Sequence, residues 1–353
     1  MSKLLLVGPS SIHLWRYYQM VKLGLDDIAV ITDTDPGTAV PAGCQITVLP
    51  FSLRHPFAYF RSIQTIRQLI RTYQPDIIHC HMANIAALAV NLANRGSKIP
   101  TVLTAWGSDI LIAPFQNLFL RKMVTYNLCK AQILTSDSRY MADIMQELVP
   151  EKRLDLRIAN FGIGVLPDPS VVKENLIYSN RLHESLYRID AILRAFKHFT
   201  EGAQQTWTLV VAGTGSQTDS LKELAKALKL ENNVHFVGWL SPPENEAYYN
   251  RAKLYVTIPE SDATSISLLE GMACGCIPVV SNLPANREWV EEGINGVIVE
   301  DVTTSFLQAA LDLDEILVQE HNQNLIDRFA TIKANRDVFL KIYRQLLSNH
   351  IIA

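Results

Sequence analysis

The sequence predicts an α/β fold of two doubly wound, Rossmann-like units, each built on a parallel sheet. Short apolar runs bounded by Gly, Pro and Asp alternate with stretches of helical spacing in both halves of the chain, a pattern that favours parallel strands joined by right-handed crossovers. Length agrees, because 353 residues exceed what one hydrophobic core usually serves. The alternation breaks into Gly, Pro and Asp across Gly162–Ser170 and then restarts, which marks a linker between domains expected at residues 1–165 and 166–334.

The elements follow in order. Leu4–Gly8 is an apolar run of strand length, and Ile12 to about Leu23 has helical spacing. Asp27–Thr32 forms a second strand. Pro56–Tyr73 carries Phe57, Phe60, Ile63, Ile66 and Ile70 in a helical stripe, with Arg61, Arg67 and Arg71 elsewhere on the helix. Strands are expected at Asp76–His81, Thr101–Thr104 and Gln132–Thr135. Past the linker, strands at Asn175–Ser179 and Thr208–Ala212 alternate with helices at Ile189–Phe199 and Ser220–Leu228. Val234–Val237, Leu254–Ile258 and Ile277–Ser281 are the remaining strands, and Asn335–Leu347 is an amphipathic helix.

Composition narrows the class. Nearly half the residues are hydrophobic, as in a globular enzyme, and no apolar run approaches the ~20 residues that span a bilayer. Met1–Gly8 is too short for a secretory signal and reads as a first strand. The cysteines (Cys44, Cys80, Cys129, Cys274 and Cys276) are odd in number and scattered, which implies reduced thiols and a cytoplasmic protein. Net charge is −3, but residues 1–165 carry 16 Lys and Arg against 11 Asp and Glu. The helix Pro56–Tyr73, with Arg54 before it and Phe57, Tyr59 and Phe60 at its start, leaves two readings open: the core face of a Rossmann helix, or contact with the inner face of an anionic membrane. His79 and His81 share one strand face, where they either pack and hydrogen-bond or ligate a metal. No nucleic-acid partner is expected.

The most informative stretch is Pro259–Val280. Asp262 sits in a small-residue loop, Glu270 lies eight residues on, and Gly275 ends a short helix before an apolar strand. Eight helical residues would separate two acids by ~12 Å and turn them ~80° apart, so one helix face cannot carry both. Both reach one ligand only if Asp262 curls over the helix N-terminus from the loop. Such a ligand would meet free backbone N–H groups, which suit a diphosphate. A structural reading stands beside this one: Ser267 and Glu270 also have capping-box spacing. Upstream, Gly213-Thr214-Gly215 follows a strand and precedes a helix, a turn that serves either tight packing or a phosphate.

The string from Asp262 through Glu270 to Val280 resembles the E-x7-E signature of glycosyltransferase family 4, the retaining GT-B sugar-nucleotide transferases. It reads D-x7-E here. The resemblance implies two Rossmann-like domains facing across a cleft, with a C-terminal helix, about 335–353, crossing back to the first. It implies Glu270 on the nucleotide ribose, Asp262 on the transferred sugar, and the Ala263, Thr264 and Ser265 amides on the phosphates. Ser179–Asp190 is similar to the family's G-R-L-x-x-x-K-G segment, which places Arg181 on the diphosphate; Leu186 or Tyr187 falls at the lysine, and Arg188 is the nearest cation. Gly213 and Gly215 match a phosphate-loop pattern, and Trp239 falls near the nucleotide base. In the first domain, His13 matches a cleft histidine. Trp106 stands where many members carry a sugar-binding histidine, although Gly107 and Asp109 fit.

The function implied is retaining transfer of a sugar from a UDP- or GDP-type donor to a saccharide or lipid-linked acceptor. The resembled family needs no metal, and because the departing phosphate itself takes the acceptor proton it needs no enzyme base. Asp262, Arg181, Arg188, His13 and Asp109 are the expected catalytic groups. A sugar-nucleotide epimerase and a catalytically silent nucleotide- or glycan-binding subunit are the alternatives.

Overall fold

A computed structural model describes residues 3–37, 43–165, 167–303 and 306–352. Met1 and Ser2 of the first apolar run, Leu166 in the expected linker and Ala353 lie outside the described residues. The chain divides into two compact units: residues 1–162 together with 332–353, and residues 163–331.

In unit 1, β1 (Lys3–Val7), α1 (Ile12–Lys22), β2 (Asp27–Thr32) and β3 (Gln45–Val48) precede α2 (Pro56–Tyr73) and β4 (Ile77–His81). Then come α3 (Ile85–Ala93), β5 (Thr101–Thr104), α4 (Ser108–Leu111), α5 (Ala113–Gln116), α6 (Leu118–Lys130), β6 (Ile133–Ser136), α7 (Arg139–Glu147) and β7 (Leu156–Ile158). All seven strands are parallel, in the order β3-β2-β1-β4-β5-β6-β7. Every residue of β4 and β6 is buried, as expected for strands covered on both faces.

The sequence reading of α2 needs one correction. Ile63, Ile66 and Ile70 are buried, joined by Tyr59, but Phe57 is 87% exposed and Phe60 58%. Steps of three residues drift by about 60° on a helix, so Phe57 lies opposite Ile66 and cannot share its stripe.

Unit 2 comprises β8 (Glu174–Ser179), α8 (Ile189–Gly202), β9 (Thr208–Ala212), α9 (Thr218–Ala227), β10 (Val234–Gly238) and α10 (Pro242–Arg251). It continues with β11 (Ala252–Thr257), α11 (Ile266–Ala273), β12 (Ile277–Ser281), β13 (Val297–Val299), α12 (Leu307–Leu311) and α13 (Glu315–Phe329). The six parallel strands run β10-β9-β8-β11-β12-β13, the dinucleotide-fold order. Alternate strand residues feed two cores. Ile177, Leu209, Leu254 and Val279 pack with the buried face of α8, and Tyr178, Val210, Tyr255 and Val280 pack with Leu268, Leu269 and Met272 of α11.

The last helix, α14 (Ile332–Ile352), belongs to unit 1. Its Tyr343 Oη lies 2.6 Å from Tyr17 Oη on α1 and 2.7 Å from His79 Nδ1 on β4. Asn335 Oδ1 accepts from the Asn160 amide at 2.8 Å.

Candidate active site

In an open α/β sheet, ligands bind outside the carboxyl ends of the strands where the order reverses. In unit 2 that point lies between β8 and β11. Asn180 and Arg181 leave β8 there, and the loop carrying Pro259, Glu260 and Asp262 leaves β11. Topology alone therefore brings Arg181 and Asp262 together, although 81 residues separate them.

The Arg181 guanidinium has three partners. Nη2 lies 2.8 Å from Asp262 Oδ2, Nη1 donates to Ser265 Oγ at 2.5 Å, and the group stacks 4.5 Å from the Tyr187 ring centre. Ser265 is the N-cap of α11, and its hydroxyl accepts from the Leu268 amide. Arg181 is thus tied to the end of the helix, where the dipole favours an anion.

Glu270 is buried within α11 and accepts from Tyr249 Oη at 3.1 Å. The capping-box reading fails. The cap is Ser265 rather than Ser267, and Glu270 lies beyond the first turn, out of reach of an N-cap amide. Ser267 Oγ instead lies 2.7 Å from Tyr255 Oη, to which its hydroxyl can donate. Asn180 bridges the two tyrosines, donating to Tyr249 Oη at 2.7 Å and accepting from Tyr255 Oη at 2.8 Å. One hydrogen-bonded chain therefore runs from Glu270 through Tyr249, Asn180, Tyr255, Ser267 and Ser265 to Arg181, which is ion-paired with Asp262. Sequence reasoning missed Asn180, Tyr249, Tyr255 and Tyr187. The one local signal was that Asn180 precedes Arg181 at a strand end.

The other expected residues of unit 2 divide. Arg188 has a left-handed backbone, φ +49°; its Nη2 donates to the Pro259 carbonyl at 3.2 Å and its Nε lies 3.8 Å from Glu260 Oε1. It grips the start of the Asp262 loop. Ala263 and Thr264 are buried in that loop, with Thr264 Oγ1 accepting from Trp289 Nε1 at 3.3 Å. Gly213 (φ +109°) and Gly215 are required by packing, since a Cβ would lie 2.4 Å from the Arg181 carbonyl and 2.5 Å from that of His183. Their amides already donate, Gly213 to the Gly238 carbonyl and Gly215 to Thr218 Oγ1, so the turn shapes the site more than it offers donors. Trp239, just past β10, is 71% exposed.

In unit 1, the reversal lies between β1 and β4, and His13 on the first turn of α1 sits beside that edge. Its ring is 5.6 Å from both Trp106 and Phe161, and Nδ1 is buried without a hydrogen-bond partner. Burial, then the charge of Arg16, holds this imidazole below its ordinary pKa, hence neutral. Trp106 donates through Nε1 to His81 Nδ1 at 3.0 Å, which assigns the proton of neutral His81 to Nε2. Asp109 lies in the turn that carries Trp106. It is buried, and its carboxylate accepts from the amides of Ala83 (2.7 Å), Trp106 (2.9 Å) and Gly107 (3.1 Å). Its oxygens hold the turn that presents Trp106.

His79 and His81 do not form a metal centre. His79 is hydrogen-bonded on both nitrogens, to Tyr17 and Tyr343 and to Thr104, and among the described residues no three His, Cys, Asp or Glu side chains cluster as a metal site would need.

Comparison with known proteins assigns the chain. Residues 3–138 match the family described as glycosyl transferase 4-like, and residues 170–333 match glycosyl transferases group 1. An alpha-monoglucosyldiacylglycerol synthase of Streptococcus pneumoniae is 23% identical over 83% of this chain and 74% of its own length. An N-acetyl-alpha-D-glucosaminyl L-malate synthase of Bacillus anthracis is 23% identical over 79% and 81%. Among solved structures, Anabaena HepE in complex with UDP superposes with a TM-score of 0.80 at 14% identity, covering 98% of this chain and all of that one. Sucrose-phosphate synthase of Thermosynechococcus elongatus gives 0.81 at 13% identity over 99% and 100%. Two successive models of one enzyme class, spanning β1 to β6 and β8 to β13, agree with these full-length likenesses: the chain belongs to the group 1 glycosyltransferases of the GT-B fold, resembling family 4.

Proposed function

We propose that this glycosyltransferase moves a sugar from a nucleoside diphosphate donor to a saccharide or lipid-linked acceptor, with retention and without a metal. One observation carries the reading: Glu270, Ser265 and Arg181 are joined by one hydrogen-bond network, and Asp262 is ion-paired to Arg181, at the strand-order reversal beside the α11 N-terminus.

Glu270, oriented by Tyr249, accepts from the ribose hydroxyls. Arg181 and the α11 terminus take the diphosphate, Arg188 fixes the loop beside it, and Asp262 reads the sugar hydroxyls. Trp239 stacks on the base, and His13 contacts the sugar or acceptor. In the transfer the bond between the anomeric carbon and the β-phosphate oxygen breaks, and negative charge gathers on that oxygen. Preorganised cations and helix-end amides stabilise it, the work a divalent cation does elsewhere. The acceptor oxygen bonds to the anomeric carbon on the face the phosphate leaves, and its proton passes to the departing oxygen. Configuration is retained.

The relatives support the donor class and the acceptor class. HepE has been solved with UDP and with UDP-glucose. A Komagataeibacter xylinus relative, 25% identical over 116 residues, is a GDP-mannose:cellobiosyl-diphosphopolyprenol alpha-mannosyltransferase. The S. pneumoniae relative is named for a glucosylated diacylglycerol.

The test has two parts. Calorimetry with UDP and GDP in excess chelator should show binding of one nucleotide, and NMR of the product should show the anomeric configuration of the donor. Inversion, or turnover that stops with chelator and returns with a divalent cation, overturns the corresponding clause.

A further inference from the structure

We propose that the α2–α3–α6 face of unit 1 is a docking surface for an anionic lipid bilayer. The crossover rule puts α2, α3 and α6 on one face of the sheet, because each leads rightward along the strand order from β3 to β6. Residues 43–136, which build this layer and the strands beneath it, contain nine Lys or Arg and two Asp. Neither Asp offsets the cations on the outer face. Asp109 is buried on backbone amides, and Asp76 accepts from the Lys3 amide at the opposite, amino-terminal edge of the strands. Among the described residues Arg54, Arg61, Arg71, Arg121 and Lys122 are exposed and none has an acid within ion-pair distance.

Large apolar side chains stand exposed at one end of the same layer. Phe57 and Phe60 lie on the outer stripe at the start of α2, and Phe115, Leu118 and Phe119 lie on α5 and the start of α6. Two hydrogen bonds fix the register. Tyr59 Oη on α2 donates to the Ile85 carbonyl at the start of α3, and Asn127 Nδ2 in the third turn of α6 donates to the Asn84 carbonyl. The first turns of α6 therefore project ~13 Å beyond the α3 N-terminus, on the side where α2 begins. Two apolar tips, two helix spacings or about 20 Å apart, stand at one edge with cations behind them.

This arrangement fits a bilayer interface. Phenylalanine and leucine enter the acyl boundary while arginine and lysine reach lipid phosphates. A nucleic acid would engage the cations but leave Phe57 and Leu118 in water. The surface stands apart from the donor reading, and its residues have no part in the donor site.

The test is flotation of the full chain with two vesicle types, phosphatidylcholine alone and phosphatidylcholine with about one third phosphatidylglycerol. Calorimetric nucleotide affinity serves as the fold control. Binding to the anionic vesicles alone is expected. Arg121→Glu with Lys122→Glu should lower it at least about tenfold, and Phe57→Ser with Phe119→Ser should lower it similarly with nucleotide affinity unchanged. Retained nucleotide affinity with neither vesicle bound overturns the surface and leaves the donor reading intact. Binding to a DNA duplex as tight as to vesicles and indifferent to the phenylalanines overturns it in favour of a polyanion. A dimer in solution that Phe57→Ser dissociates overturns it in favour of a second copy.

Discussion

Arg181 and Asp262 lie 2.8 Å apart, with side chains only 12% and 20% exposed. A diphosphate brings at least two negative charges to the same guanidinium, so it competes with Asp262 for Arg181. Asp262→Asn should therefore raise the affinity for nucleoside diphosphate a few-fold while sugar transfer falls about 100-fold, because Arg181 is released but the sugar loses its partner. Calorimetry and turnover on the same preparation check both. Arg181→Ala should weaken nucleotide binding by about 2 kcal/mol. Glu270→Ala should weaken it at least tenfold, and Tyr249→Phe by a smaller factor, since it removes only the hydroxyl that orients the carboxylate. Unaltered affinity in Glu270→Ala contradicts the ribose assignment.

At the scale of elements, the turn at Gly213 and the exit of β8 are one device. Gly213 has φ +109°, and a Cβ there would sit 2.4 Å from the Arg181 carbonyl. Gly213→Ala should cost about 2 kcal/mol or more of stability and displace Arg181, so that nucleotide affinity falls with it. Urea denaturation with calorimetry reads both. β4 carries the second device, because His79 and His81 are buried beside Tyr17 and Tyr343. Burial, then the neighbouring His13, holds His81 down to about 3, and burial, then His81, holds His79 well below 6.5. The folded chain therefore refuses protons that the unfolded chain accepts below about pH 6.5. Stability is full above that pH and falls as the solution is acidified, by up to about 1.4 kcal/mol per pH unit for each histidine. Thermal melts between neutrality and mild acid should show this, and His81→Gln should flatten the slope. A melting temperature that does not fall on acidification contradicts the buried-neutral assignment.

Over the whole molecule, legibility followed the physics. Strands buried on both faces, such as the Leu209–Ala212 stretch of β9, were readable because a covered strand is a near-continuous apolar run. Gln45–Val48, half-exposed at a sheet edge, carried no such run, and Val297–Val299, though apolar throughout, is only three residues long. The helix Ile85–Ala93 is apolar almost all round and showed no amphipathic period. At the site, Arg181, Asp262 and Glu270 were legible as a motif. Tyr249 and Asn180 were not, because their contacts with Glu270 and with one another span 21 and 69 residues. That Asp109 accepts from three backbone amides was likewise not legible, because the amide of Ala83 lies 26 residues away in sequence. Phe57 looked like core because a three-residue step mimics a stripe until its drift is followed around the helix.

The central claim is that one network at the β8–β11 reversal grips a sugar nucleotide. A crystal structure with the nucleoside diphosphate bound tests it most directly. The account predicts the ribose hydroxyls on Glu270 and the diphosphate between Arg181 and the α11 N-terminus. A nucleotide bound elsewhere, with Arg181 still on Asp262 and Glu270 touching only protein, would contradict it.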